Sequence, residues 1–157
     1  MEVKADKELH FKQNPVTVWK VLTNPAQMVV SVPGAELTEQ LDERHFKGKL
    51  GIKIGPVTAK FNGEAGFTKL EKSNYELILE GKGSDTGGKG GASLRMDIHL
   101  SPDENGGTFM KSSMALSING KLAQFGSRMI VAVNNKMFEQ WSENFTNILE
   151  KQCANGT

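Results

Sequence analysis

The residues most suggestive of chemistry in this 157-residue chain are a glycine-rich run, Gly81-Lys82-Gly83-Ser84-Asp85-Thr86-Gly87-Gly88-Lys89-Gly90-Gly91. Gly83, Gly88 and Lys89 match the start of a phosphate-binding loop, in which backbone N–H groups cradle phosphate oxygens and a lysine adds charge. The match stops at the next position. Such a loop needs Ser or Thr there and a helix behind it, whereas here Gly90 leads into an alternating strand pattern. The run is expected to be a flexible connection or bulged edge between strands, where glycine permits tight curvature. General bases are scarce as well. His45 and His99 fall at the outward parity of their strands, and His10 alternates with Leu9 and Phe11, so each reads as a surface residue. The three histidines show no metal-ligand spacing. The single cysteine, Cys153, lies at the end of the last helix without an adjacent base and excludes an internal disulfide framework. The paired carboxylates Asp42-Glu43 and Asp103-Glu104 fall in turns, where their polarity already explains them. The sequon Asn144-Phe145-Thr146 has no secretory signal to give it weight.

Charge adds little. Lys and Arg total 19 against 18 Asp and Glu, a net +1 that lacks the basic excess by which nucleic-acid-binding domains gain affinity through counterion release. No apolar leader follows the N-terminus, and no stretch approaches the ~18–20 apolar residues of a membrane span, so a soluble, cytosolic chain is expected. Lys47, Lys49, Lys53 and Lys60 would cluster on the outer face of one hairpin. A solvated face is the ordinary reading of them, and docking to an acidic partner or to anionic lipid headgroups is the alternative.

The elements that must position these residues are legible from periodicity. Val3, Ala5, Leu9 and Phe11 alternate as a half-buried strand. Asn14-Pro15 and Asn24-Pro25 each place a capping side chain before a proline at the first helical position, which predicts two short helices, the second stopped by Val32-Pro33-Gly34. From Glu36 to Ile118 the pattern is almost wholly β. Phe46, Gly48, Leu50, Ile52 and Ile54 share one parity; after the Gly55-Pro56 turn, Val57, Ala59, Phe61, Gly63, Ala65 and Phe67 share the matching one. Tyr75 to Leu79, Leu94 to Leu100 and Met110 to Ile118 supply further strands. Leu122, Phe125, Met129, Val133, Met137, Trp141, Phe145, Ile148 and Leu149 then recur at helical spacing, predicting one amphipathic helix from Leu122 to Lys151, about 45 Å long. The whole reads as a single α+β domain over residues 1–153 with a short polar tail, 154–157. In it a curved antiparallel sheet of six or seven strands wraps a long C-terminal helix.

A curved sheet and one straight helix seldom fill the space between them. The inward positions combine small residues (Gly48, Ala59, Gly63, Ala65) with flexible methionines, which suits an ordinary core and equally an apolar pocket. Leu50, Phe61, Met96, Met114, Phe125 and Met129 are the expected cavity walls. Gly120, Lys121, Gln124 and Arg128, at the start of the helix, are the expected cavity mouth or partner contact. No His, Asp or Glu falls on the inward parity of the central strands, so an acid–base pair is not expected there.

Several segments together resemble the G-subunit family of carbon monoxide dehydrogenase, part of the START-like, helix-grip (SRPBCC, Bet v 1-like) superfamily. They are Asn14-Pro15-Val16-Thr17-Val18-Trp19 with Leu22 and Asn24-Pro25; Val32-Pro33-Gly34-Ala35-Glu36; Lys53-Ile54-Gly55-Pro56-Val57 with Phe61 and Gly63; and Gly120-Lys121-Leu122-Ala123-Gln124-Phe125-Gly126-Ser127-Arg128, the most specific of the four. The resemblance covers almost the full chain. It implies a helix-grip fold and a non-catalytic accessory protein that serves a molybdenum-containing hydroxylase at the cytoplasmic face of the membrane. It also implies a respiratory quinone or other hydrophobic ligand in the cavity, and no covalently bound cofactor. Longer members resemble this domain followed by a linker and an apolar C-terminal segment, whereas this chain stops at Thr157, so transient surface contact through the lysines is the expected membrane interaction. A cyclase- or hydrolase-type enzyme on the same fold, or an adaptor with a filled core, are the alternatives.

Overall fold

The computed structural model describes the backbone of residues 1–156 and the side chains of residues 1–152. Strand β1 (Glu2–Phe11) leads into helices α1 (Pro15–Leu22) and α2 (Pro25–Ser31). Strands β2 (Ala35–Gln40), β3 (His45–Ile54), β4 (Val57–Glu71), β5 (Glu76–Asp85), β6 (Gly91–Pro102) and β7 (Thr108–Ile118) follow, then a 3-10 segment (Gly120–Phe125) and the long helix α3 (Gly126–Gly156). The seven strands form one antiparallel sheet in the order β1-β7-β6-β5-β4-β3-β2. The α+β architecture expected from the sequence is therefore present, with seven strands.

Local chemistry sets the two short helices. The Asn14 side chain accepts the Thr17 N–H at 2.9 Å and the Asn24 side chain accepts the Gln27 N–H at 3.2 Å, each with a proline opening the helix behind it. Val18, Val21 and Leu22 are fully buried where α1 meets the sheet. In the β3–β4 hairpin Phe46 faces Ala65, Leu50 faces Phe61 and Ile54 faces Val57, so both apolar parities share the inner face.

One row across the sheet has glycine at its centre. Leu37, Gly48, Gly63, Gly83, Ala92 and Ile118 lie in register on β2 to β7. A β-carbon at Gly48 would lie 2.8 Å from the Glu36 carbonyl oxygen, and one at Gly63 would collide with the Lys82 carbonyl. Glycine thus lets neighbouring strands approach more closely there than any side chain permits.

Two boundaries differ from expectation. The α-helix begins at Gly126, not Leu122, because Gly126 adopts a φ of +83° and separates a 3-10 segment from α3. The backbone of α3 continues through Gly156, past the predicted end at Lys151 and into the predicted polar tail. The side chain of Cys153 and residue Thr157 lie outside the described residues.

Candidate functional site

Helix α3 crosses the inner face of the sheet, but it seals only part of it. At one end Phe11, Leu77, Ile98, Leu100 and Met110 pack beneath α1, α2 and the aromatic rings of Trp141 and Phe145. Towards the start of α3 a second cluster joins Val3, Ile54, Ala59, Phe61, Ile118, Leu122 and Ile130. Between them Leu50, Ile52, Leu94, Met96, Met114 and Leu116 face inward yet are only half-buried, and they line a cavity of about 370 Å³. Ile130, Val133, Asn134, Met137, Phe138 and Trp141 of α3 form its roof. That volume falls in the range of small-molecule sites, roughly 300–1,000 Å³.

The lining is hydrocarbon with few exceptions. Glu36, Lys49, Glu64, Lys82 and Ser93 border the cavity, but strand parity sends their exposed side chains to the outer face. Two polar side chains remain inside. Ser112 on β7, between Met110 and Met114, is 5% exposed, and Asn134 sits within the apolar stripe of α3. Lys7, opposite Ser112 on β1, shares the inner face, donates to Asn135 Oδ1 at 2.9 Å and lies 5.7 Å from the Phe138 ring centroid. Sequence reasoning missed Lys7 and Ser112, although the parity that assigned Leu9 and Met110 inward assigns these two as well.

A third inward position needs correction. Asp85 on β5 faces Phe61, so a carboxylate does occupy the inward parity of a central strand. It is not free to act as an acid or base. Its oxygens accept three backbone N–H groups, from Lys60 at 2.9 Å, Gly87 at 3.0 Å and Lys89 at 3.1 Å, and the Lys89 ammonium lies 3.6 Å away. The Lys60 N–H, then that of Lys89, hold the carboxyl below its ordinary range against the opposing effect of burial. The glycine-rich run is therefore a β5–β6 turn locked by Asp85, with Lys89 turned back on the turn itself. His10 pairs with Asp103, His45 pairs with Asp42, and His99 is exposed, all away from the cavity.

Of the six expected wall residues, Leu50, Phe61, Met96 and Met114 line the cavity. Phe125 and Met129 do not. Because the 3-10 segment and Gly126 reset the phase before α3, Phe125 packs in the second cluster and the Met129 thioether lies against the Gly55 turn. Gly120 abuts Gly90, while Lys121, Gln124 and Arg128 are exposed; none of these four borders the cavity, whereas Leu122, next to Lys121 in the 3-10 segment, does. Lys47, Lys49, Lys53 and Lys60 are all exposed on the outer face. Carboxylates interleave with part of this group: Lys47 lies between Glu39 and Glu64 in register, and Lys49 lies opposite Glu36. Lys53 and Lys60, opposite Thr58 and Gly51, have no such neighbour in their rows.

No described helix is long and apolar enough to cross a membrane. The family model for CoxG, the G-subunit of carbon monoxide dehydrogenase, matches residues 8–150. No curated protein matches the chain significantly. Among solved structures, the chain is similar to a conserved protein from Geobacillus kaustophilus, with a TM-score of 0.86 and 22% identity, covering 96% of this chain and 97% of that one. It is also similar to the Zhui aromatase/cyclase from Streptomyces sp. R1128, with a TM-score of 0.68 and 10% identity over 98% and 96% of the two chains. Norcoclaurine synthase from Thalictrum flavum, a point mutant in complex with a transition-state analogue, gives a TM-score of 0.67 and 12% identity over 97% and 96%. At these identities the likeness defines the fold, which is the Bet v 1-like helix grip.

Proposed function

From the premise that the chain belongs to the CoxG family of carbon monoxide dehydrogenase G-subunits, we propose that it is a non-catalytic carrier of a hydrophobic, quinone-like ligand that serves a molybdenum hydroxylase at the membrane. The observation that carries this reading is the apolar cavity beneath α3, lined by inward side chains that the helix leaves only half-buried. Each methylene of a prenyl tail that enters such a space gains about 0.8 kcal/mol, so affinity needs few polar contacts. The inward side chains include no carboxylate or imidazole among the described residues other than Asp85, which is committed to its turn. That composition favours holding a molecule over transforming it. Lys53 and Lys60 are the outer-face cations best placed to meet an acidic partner or anionic headgroups.

The test is solvent extraction of protein purified without detergent from its native host, with mass spectrometry of the extract and of whatever co-purifies. A near-stoichiometric prenyl quinone is expected, together with components of a molybdenum hydroxylase. An empty extract that stays empty after incubation with quinone would overturn the carrier reading in favour of an adaptor.

A further inference from the structure

The cavity is greasy enough to accept almost any apolar molecule, so its selectivity must come from its few polar atoms. Ser112 is the most enclosed of them. It is 5% exposed, it borders the cavity, and its hydroxyl makes no hydrogen bond to another described residue. Every fully enclosed side-chain nitrogen or oxygen among the described residues does have a partner. The unpaired Ser112 oxygen is therefore one that a molecule filling the cavity can reach. Asn134, the one polar residue in the helix stripe that roofs the cavity, likewise makes no side-chain hydrogen bond among the described residues. A buried hydroxyl or amide left unpaired costs free energy, and both groups can offer an N–H or O–H donor.

We infer that Ser112 and Asn134 form a polar anchor that donates hydrogen bonds to a neutral oxygen at one end of an otherwise apolar ligand. This rests on the carrier reading and narrows the ligand class. A carbonyl oxygen has two lone pairs and can accept from both groups at once. Lys7, the cation opposite Ser112 in the β1–β7 register, is already engaged by Asn135 and by the face of Phe138, which leaves this part of the cavity suited to a neutral acceptor. A pure hydrocarbon of the same shape would leave Ser112 and Asn134 dry and unpaired, so the site should discriminate against it.

Two probes of similar shape test this: 2-methyl-3-decyl-1,4-naphthoquinone and 2-decylnaphthalene, which lacks the oxygens. Apparent affinities follow from ligand-dependent thermal stabilisation of the full chain. Ser112→Ala is expected to weaken naphthoquinone binding about fivefold, the range of one neutral hydrogen bond, while leaving decylnaphthalene within about twofold. Asn134→Ala, on the half-buried helix face, is expected to act in the same direction and carries the test alone if Ser112→Ala unfolds. Equal losses for both probes, or no loss for either, would overturn the anchor and leave the carrier reading standing. If neither probe binds the unsubstituted protein, the carrier reading falls and the anchor falls with it.

Discussion

The two ends of the inner face are built from the same strands and the same parity, yet they differ in how tightly they close. On β6, Ile98 and Leu100 are 2% and 1% exposed, while Leu94 and Met96 on the same face are only half-buried. On β7, Met110 is sealed but Met114 and Leu116 are not; on α3, Phe145 and Leu149 are fully buried but Val133 and Met137 are half-buried. Both sets are apolar, so hydrophobicity does not separate them. What separates them is what lies opposite. At the closed end α1, α2 and stacked aromatic rings fill the space above the sheet. At the other end α3 passes over the face that holds the Gly48, Gly63 and Gly83 row, where three inward positions in succession offer no side chain to fill the space. An alternating pattern therefore encodes which face is apolar, and the third dimension decides whether that face is a core or a cavity.

Truncation should give the largest difference between the ends. Phe145→Ala removes a ring with no exposed surface, packed against Phe11 and Trp141, and is expected to cost about 3–5 kcal/mol in denaturant unfolding. Met114→Ala removes contacts from a side chain that already faces open space and should cost less than about 2 kcal/mol. Equal costs would mean that the cavity is closed in solution and that the two ends are one core. Enlargement should give the next largest effect and the opposite sense. Leu100→Phe overpacks a sealed position and is expected to lose about 1–3 kcal/mol. Leu94→Phe, bordering the cavity, should be nearly neutral in stability and should lower the ligand content of the extracted protein.

Acid stability ranks third and separates a turn lock from a catalytic acid. Backbone N–H groups depress the Asp85 carboxyl in the folded chain, so its stabilising contribution is fully present above the ordinary carboxylate range, near pH 4, and is lost as pH falls through the folded value. Asp85→Asn should therefore be less stable than the unsubstituted chain at pH 7, with the gap narrowing below about pH 4 in acid titrations followed by circular dichroism. A gap that stays constant with pH would mean that the charge on Asp85 contributes nothing to the lock. Asp103, depressed first by His10 and helped by the Gly107 and Asn105 N–H groups, locks the β6–β7 turn in the same way.

Most of the fold is legible in the sequence because its signals are local. Asn-Pro pairs start both short helices, alternation marks each strand, and three- and four-residue steps mark α3. Four of the six expected wall residues border the cavity for the same reason, since parity alone places Leu50, Phe61, Met96 and Met114 on the inner face. Phe125 and Met129 fall elsewhere because one residue at positive φ, Gly126, breaks the helical phase, and no periodicity records a phase break. Ser112 and Lys7 are readable but easily passed over, because polar residues on an apolar parity look like interruptions of the pattern rather than members of it. The glycine row is not readable strand by strand. Gly48, Gly63 and Gly83 become a single row only once the registers of three strands are known.

The smallest expected effect checks that the difference between the two ends is confined to the inner face. On the outer face Glu64 lies 3.8 Å from the Lys82 ammonium beside the cavity end, and Glu8 lies 3.7 Å from that of Lys111 beside the packed end. All four side chains are at least half exposed, so water and salt screen both pairs. Glu64→Gln and Glu8→Gln should each change stability by no more than about 0.5 kcal/mol, and by the same amount as each other within error. Raising the ionic strength should erase what difference remains. If Glu64→Gln alone proved costly, the lysines around it would be destabilised by their own repulsion at the cavity end. The carboxylates between them would then be holding the sheet in its curved form from outside, and the cavity would owe its shape to both faces.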